Sequence, residues 1–207
     1  MDAGKYDQLA NKAEVHYNRR ASSYEEELQA KGYQGPVTAA RALAGVLTED
    51  RKGKVILDIG GGTGLVGVEL VKEGFETIDI LDPAEMMLAV ARQKRIYRNV
   101  ITSTVNGLNS TPLKRDSYDA VLCVGVICMA GPGFTCPDLE EVIRVAKPGG
   151  IIVMTLRTET LYSNLYRDKL LPFCDKLQAD GAWKLLERSK FDYMHGVEGQ
   201  LFIYQKL

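Results

Sequence analysis

This 207-residue chain has only two histidines, one tryptophan and four cysteines, and it lacks an excess of either charge. Each shortage narrows the chemistry open to it. Cys123, Cys128, Cys136 and Cys174 do not have the paired spacing of a metal-ligand set, so no metal is expected. Cys123 and Cys128 stand in or beside an apolar stretch, where reduced core thiols are found. A solvated or capping role is expected for both His16 and His195. The net charge is −1 and the isoelectric point about 6.2, which leaves no basic footprint for nucleic acid. No apolar run reaches the roughly 18 residues of a membrane-spanning helix, and no signal-peptide pattern opens the sequence. The expectation is a cytoplasmic protein away from the membrane. At 22.9 kDa it is one domain, or a domain with a small appendage. A chain of this size can bury roughly 70% of its unfolded surface, so it needs no covalent staples.

What the chain does have is a dense signal at residues 55–64, Val-Ile-Leu-Asp-Ile-Gly-Gly-Gly-Thr-Gly. Val55 to Ile59 is an apolar, β-branched run interrupted by one carboxylate, Asp58, and reads as a buried parallel strand. Gly60, Gly61, Gly62 and Gly64 let the backbone turn sharply and let a ligand approach it. Leu65 to Glu73 then reads as a helix whose amino terminus points at that ligand, with Gly74 capping its far end. Strand, glycine turn and helix amino terminus together predict a nucleotide site.

The kind of nucleotide follows from charge. Gly62-Thr63-Gly64-Leu65-Val66-Gly67 matches the dinucleotide fingerprint, and Asp82 lies 20 residues beyond Gly62. A carboxylate at the strand end, however, repels a pyrophosphate. S-adenosylmethionine carries an ammonium and a sulfonium and no phosphate, so Asp58 attracts it. A nicotinamide cofactor is the second reading, disfavoured by Asp58 and by the lack of a Tyr-x-x-x-Lys pair.

Alternating strands and helices follow. Residues 1–34 are polar and rich in tyrosine, with Tyr17, Ala21 and Tyr24 on one helical face. They form either a lid over the site or a helix that simply packs on the domain of residues 35–207. Gly35-Pro36 opens a helix expected to bury Val37, Ala40, Leu43, Val46 and Leu47. Further strands are predicted at Phe75 to Leu81, Val100 to Val105, Tyr118 to Val126 and Ile151 to Leu156. Helices are predicted at Ala84 to Lys94, burying Met86, Met87, Val90 and Ala91, and at Asp138 to Ala146. Asp82 is placed to cap the first of these, with Pro83 at its first position. The last third reads as a helical stretch from Leu161 to Asp180 broken near Pro172, a short helix from Trp183 to Arg188, and a hairpin. The hairpin strands are Phe191 to Met194 and Gln200 to Lys206. The fold class is therefore α/β, Rossmann-like: a seven-stranded, mostly parallel sheet with an antiparallel carboxyl-terminal hairpin and helices on both faces.

Four segments in order resemble the class I S-adenosylmethionine-dependent methyltransferases. They are Asp58-Ile59-Gly60-Gly61-Gly62-Thr63-Gly64, Leu81-Asp82-Pro83 with Met87-Leu88, Ser117-Tyr118-Asp119-Ala120-Val121, and Val145-Ala146-Lys147-Pro148-Gly149-Gly150. Within that class the chain is similar to the methyltransferase-like family of the Williams–Beuren syndrome region, on Gly62 to Val66, Tyr118 to Gly125 and Lys147 to Gly150. The resemblance implies S-adenosylmethionine as cofactor and S-adenosylhomocysteine as product. It implies donor contacts from Asp58, Gly60, Gly62 and Gly64, and ribose contacts from Asp82 beside Pro83. Met87 lies against the adenine or in the core, and Asn106, Gly107 and Leu108 follow the third strand where an acidic residue often stands. Val124 and Gly125 complete the donor contacts, with Tyr17 and Tyr24 above.

The acceptor is expected to be a small molecule, with a protein side chain as the alternative. Gly125-Val126-Ile127-Cys128 stands where base-amine methyltransferases carry Asn/Asp-Pro-Pro-Tyr/Phe, and Cys136 precedes Pro137 instead of following a proline. No catalytic base is assigned. A donor-binding module without turnover is the reading from a different functional class.

Overall fold

The computed structural model describes residues 14–105, 111–128 and 134–207. Seven strands, β1 (Val55–Ile59), β2 (Thr77–Asp82), β3 (Asn99–Thr102), β4 (Tyr118–Val124), β5 (Ala146–Arg157), β6 (Trp183–Met194) and β7 (Val197–Lys206), make one sheet in the order β3-β2-β1-β4-β5-β7-β6. All neighbours run parallel except β7, which is antiparallel to β5 and β6. The helices are α1 (residues 14–20), α2 (Tyr24–Ala30), α3 (Gly35–Val46), α4 (Leu65–Lys72), α5 (Glu85–Gln93), α6 (Asp138–Val145) and α7 (Leu170–Ala179).

Period-two alternation divides the apolar residues of the strands between two faces. Leu57, Val121, Ile152 and Phe202 point one way, against Leu139 and Val142 of α6 and Leu170 and Cys174 of α7. Ile56, Leu122, Val153 and Ile203 point the other, against Ala39 and Leu43 of α3 and Val66 and Leu70 of α4. The expected layers, helices on both faces, are therefore present. Asp79 is buried in β2 yet fully paired, by Arg98 Nε at 2.9 Å, Arg98 Nη2 at 2.7 Å, Asn99 Nδ2 at 3.0 Å and Tyr118 Oη at 3.0 Å. It links three strands at the edge of the sheet away from the hairpin.

Several local expectations are corrected. The buried face of α3 is Pro36, Ala39, Ala40, Leu43 and Ala44, while Val46 is exposed, because small alanines let α3 approach the sheet closely. Met86 likewise points outward and is 55% exposed, and Leu88 takes its place in the core of α5. Pro172 does not break a helix. It is the third residue of α7, where its missing N–H has no intrahelical acceptor to lose. The segment from Trp183 to Arg188 is not helical but is the first half of β6. Its helix-forming residue types yield to pairing along β7, which gives the strand ladder partners along its length except at the irregularities of Leu186 and Tyr193. The hairpin turn thus shortens to His195-Gly196.

Trp183 anchors that edge strand. It is fully buried, stacks on Tyr204 with ring centroids 4.0 Å apart, and donates its indole N–H to the Cys174 carbonyl at 3.1 Å. Trp183→Ala should cost about 3–5 kcal/mol. Urea unfolding should show this as a lowered midpoint with an unchanged slope. A loss under about 1 kcal/mol would mean that the edge strand is held by its backbone ladder alone.

Candidate active site

The carboxyl ends of the parallel strands open into a cavity of about 300 Å³. Gly60 and Gly62 of the turn after β1 line it, with Asp82, Pro83, Ala84 and Met87 after β2, and Val124 and Gly125 after β4. Tyr17 and Tyr24 come over it from the amino-terminal helices. Asn106, Gly107 and Leu108 lie outside the described residues. Asp58 and Gly64 sit behind the cavity wall: Asp58 is fully buried, and Gly64 starts α4 at φ 89°.

The glycine turn is shaped by close approach. Gly60 has φ 63°, and a Cβ there would stand 2.6 Å from Val126 Cγ2. Its N–H donates to the Leu81 carbonyl at 2.7 Å, which ties the turn to the end of β2. The Gly62 N–H donates to Asp82 Oδ2 at 3.0 Å, and the Ala84 N–H to Asp82 Oδ1 at 2.8 Å. Asp82 is therefore not the cap of α5, which begins at Glu85 after Ala84. It is a clamp between two loops. Burial pushes its carboxyl up to about 6, against the pull of those two N–H donors.

Asp58 has a different surrounding. Tyr97 donates its hydroxyl proton to Asp58 Oδ2 at 3.1 Å, while the Gly67 N–H donates to the same Tyr97 oxygen at 3.2 Å. The other oxygen, Oδ1, is buried without a hydrogen bond from the described residues. Burial drives the carboxyl up to about 8; the Tyr97 hydrogen bond opposes this and the nearby Asp82 adds to it. Nothing in the local sequence marked Tyr97, which enters from the loop before β3.

The amino-terminal helices are docked on two sides. Tyr17, Ala21 and Tyr24 pack on Ala84 and Met87, and the two rings meet edge to face at 6.0 Å. Asn18 Oδ1 accepts the Met86 N–H at 2.9 Å, and Glu25 pairs with Lys94 at 2.7 Å. At the other end the Gln34 N–H donates to the Tyr193 carbonyl and the His195 N–H to the Lys31 carbonyl. The described part of the segment thus packs on the domain, and its Tyr17 and Tyr24 line the cavity. Tyr33 and Tyr193 bring their hydroxyls within 3.4 Å of each other beside Gly125.

The wall beyond Gly125 also includes Val126, Cys128, Arg157 and Met194. Arg157 and Tyr193 escaped the sequence reading, although a charged residue directly after the apolar run Ile151 to Leu156 was a usable signal. His16 lines the cavity, its Nε2 3.0 Å from Arg20 Nη1. His195 and Glu198 do not line it. The imidazole of His195 covers Gly32, and Glu198 is exposed and paired with Lys190 at 3.1 Å.

The clamp makes a specific expectation for Asp82→Asn. An asparagine has one acceptor oxygen, so its amide would face one of the two backbone donors. Leaving a buried N–H unpaired costs about 1–3 kcal/mol, so both the melting temperature and ligand affinity should fall. An unchanged melting temperature would show that the two loops hold their positions without this carboxylate.

Comparison with known proteins agrees with this architecture. A family described as a methyltransferase domain matches residues 56–150. Human methyltransferase-like protein 27 is 32% identical over 169 residues, which cover 81% of this chain and 66% of that protein. The ubiquinone biosynthesis O-methyltransferase of Rickettsia conorii is 32% identical over 145 residues, covering 58% of this chain and 47% of that enzyme. The chain thus spans between about half and two thirds of the length of these relatives. A TehB-like S-adenosylmethionine-dependent methyltransferase from Corynebacterium glutamicum has the same fold, with a TM-score of 0.66 at 19% identity over 93% of this chain and 99% of that one.

Proposed function

Because this chain belongs to the class I S-adenosylmethionine-dependent methyltransferases, we propose that it transfers a methyl group from S-adenosylmethionine to a small molecule bound beyond Gly125. The observation that carries this reading is the pair of buried carboxylates flanking the glycine turn, Asp58 and Asp82. Two acids there repel a pyrophosphate and suit a ligand whose charged groups are cations. The unpartnered Oδ1 of Asp58 is free to accept from an ammonium, directly or through a water. Asp82, already holding the turn, has lone pairs left for ribose hydroxyls. Gly60 and Gly62 keep the wall free of Cβ atoms, and Met87 supplies an apolar surface for the adenine.

The sulfonium of the donor supplies an activated methyl group whose leaving sulfur departs neutral. The protein therefore needs no acid at the leaving atom, and its task is orientation. Holding two reactants in line is worth about 7–11 kcal/mol in well-oriented systems. The amino-terminal segment serves as the lid, docked on α5 and the hairpin so that Tyr17 and Tyr24 exclude water from the transfer. We place this chemistry in the cytoplasm, in keeping with Cys123 and Cys174 as buried core thiols.

A radiolabelled donor incubated with small-molecule extract should give labelled product, and His16→Ala, His195→Ala and Glu198→Ala should each slow it less than about tenfold. Loss of a true acid or base costs 10²–10⁴-fold. If S-adenosylhomocysteine binds but no label moves into any fraction, the chain is a donor-binding module and the transfer reading fails.

A further inference from the structure

Beyond the donor end, the cavity wall changes sign. Asp82 belongs to the glycine-turn side, whereas Arg20, Lys31 and Arg157 line the wall together with Tyr193. Arg20 is tied to Glu27, and Lys31 has no ion pair among the described residues. Arg157 is the last residue of β5, and its register partner across the sheet is Gly199, which places no side chain beside it. Its Nη2 reaches Glu159 at 2.5 Å, a pair on the open side. Its Nε is buried with no acceptor among the described residues. Thr155 Oγ1, two residues back and on the same face of the strand, is also buried and unpartnered. The orphaned Nε, on a side chain that lines the cavity at the carboxyl end where ligands of parallel sheets bind, marks a place for a ligand group.

We propose that the methyl acceptor carries a carboxylate and that Arg157 binds it, with the apolar body of the acceptor against Tyr33 and Tyr193. This rests on the methyl-transfer reading of the same cavity. A guanidinium presents a rigid fork that matches two carboxylate oxygens, and one edge of the Arg157 fork, at Nε, is still unused. Lys31, unpaired among the described residues, and the donors that Arg20 and Arg157 keep beyond Glu27 and Glu159 make this part of the wall favour an anion over an ammonium-bearing acceptor. Glu14, the remaining acid on the wall, comes from the amino-terminal helix. Anchoring the carboxylate at Arg157 directs the rest of the acceptor back towards Gly125 and the donor.

The test uses three probes with the same ring and nearly the same size: phenylacetate, phenylacetamide and phenethylamine. Each is titrated into the protein saturated with S-adenosylhomocysteine. Phenylacetate should bind at least tenfold more tightly than either of the others. Arg157→Gln should abolish that preference while leaving S-adenosylhomocysteine affinity unchanged, and Arg157→Lys, which keeps the charge without the fork, should restore part of it. The proposal is overturned if the amide or the amine binds as well as the acid, if none of the three binds, or if the preference survives Arg157→Gln. Failure of S-adenosylhomocysteine itself to bind would instead overturn the donor site.

Discussion

A carboxylate buried near the carboxyl end of β1 is the feature on which the rest of the site depends. Asp58 has no exposed surface, and a buried ionised group must be paired or neutralised. The protein supplies one partner, the Tyr97 hydroxyl, and leaves the second oxygen open. Tyr97 in turn takes the Gly67 N–H, so the strand end, the first turn of α4 and the loop before β3 are joined through one phenol. Packing around that ring also explains the glycines: a Cβ at Gly64 would stand 2.8 Å from Tyr97 Cε2, and one at Gly67 would meet its hydroxyl. An ionised Asp58 is thus costly in the free protein, and in the proposed complex the ligand ammonium would relieve that cost.

The second carboxylate works differently. Asp82 spends its oxygens on Gly62 and Ala84 and fixes the distance between the first and second loops. One acid is left incompletely paired and the other is a structural clamp that faces the cavity. Around them the sheet provides rigidity, since β1 is paired along its length with β2 and nearly so with β4. On the other side, the described part of the amino-terminal segment packs through Tyr17, Ala21 and Tyr24 on Ala84 and Met87, with polar contacts from Asn18 and Glu25. A rigid sheet beneath that segment suits the proposed reaction, which must admit two molecules and then exclude water.

Much of this was legible in the amino-acid order because the glycine turn, the acidic strand ends and the strand-helix alternation are local patterns. The mostly parallel sheet and its antiparallel hairpin followed from strand-helix alternation and connection rules, and both helical layers followed from continuous apolar strands. The failures were of two physical kinds. Trp183 to Arg188 carries helix-forming residues but becomes an edge strand through pairing with β7, and Met86 and Val46 were assigned by a helical phase that packing shifted. Tyr97 and Tyr193 were missed because they reach the site across sequence separations of tens of residues or more, whereas Arg157, a charge closing an apolar strand, carried a local signal that went unused. Asp82 was recognised as a site residue, but its local role was read as a helix cap because a strand-ending Asp-Pro has the same sequence in both arrangements.

Asp58 offers the most direct test. In the free protein its carboxyl titrates near 8, and a neighbouring ligand ammonium favours the ionised form, so binding expels a proton below that pH. Affinity should therefore rise as the pH rises from 6 towards 8 and level off above it. Asp82, pushed up to about 6, adds its own titration at the lower end of this window, so the Asp58 slope is read between about pH 7 and 8. Calorimetric titration of S-adenosylhomocysteine across pH 6 to 8.5 should show the wild-type affinity increasing by at least tenfold, and Asp58→Asn binding more weakly with no such slope. A wild-type affinity that is flat with pH, or the same slope in Asp58→Asn, would contradict the pairing of the buried carboxylate with the ligand ammonium.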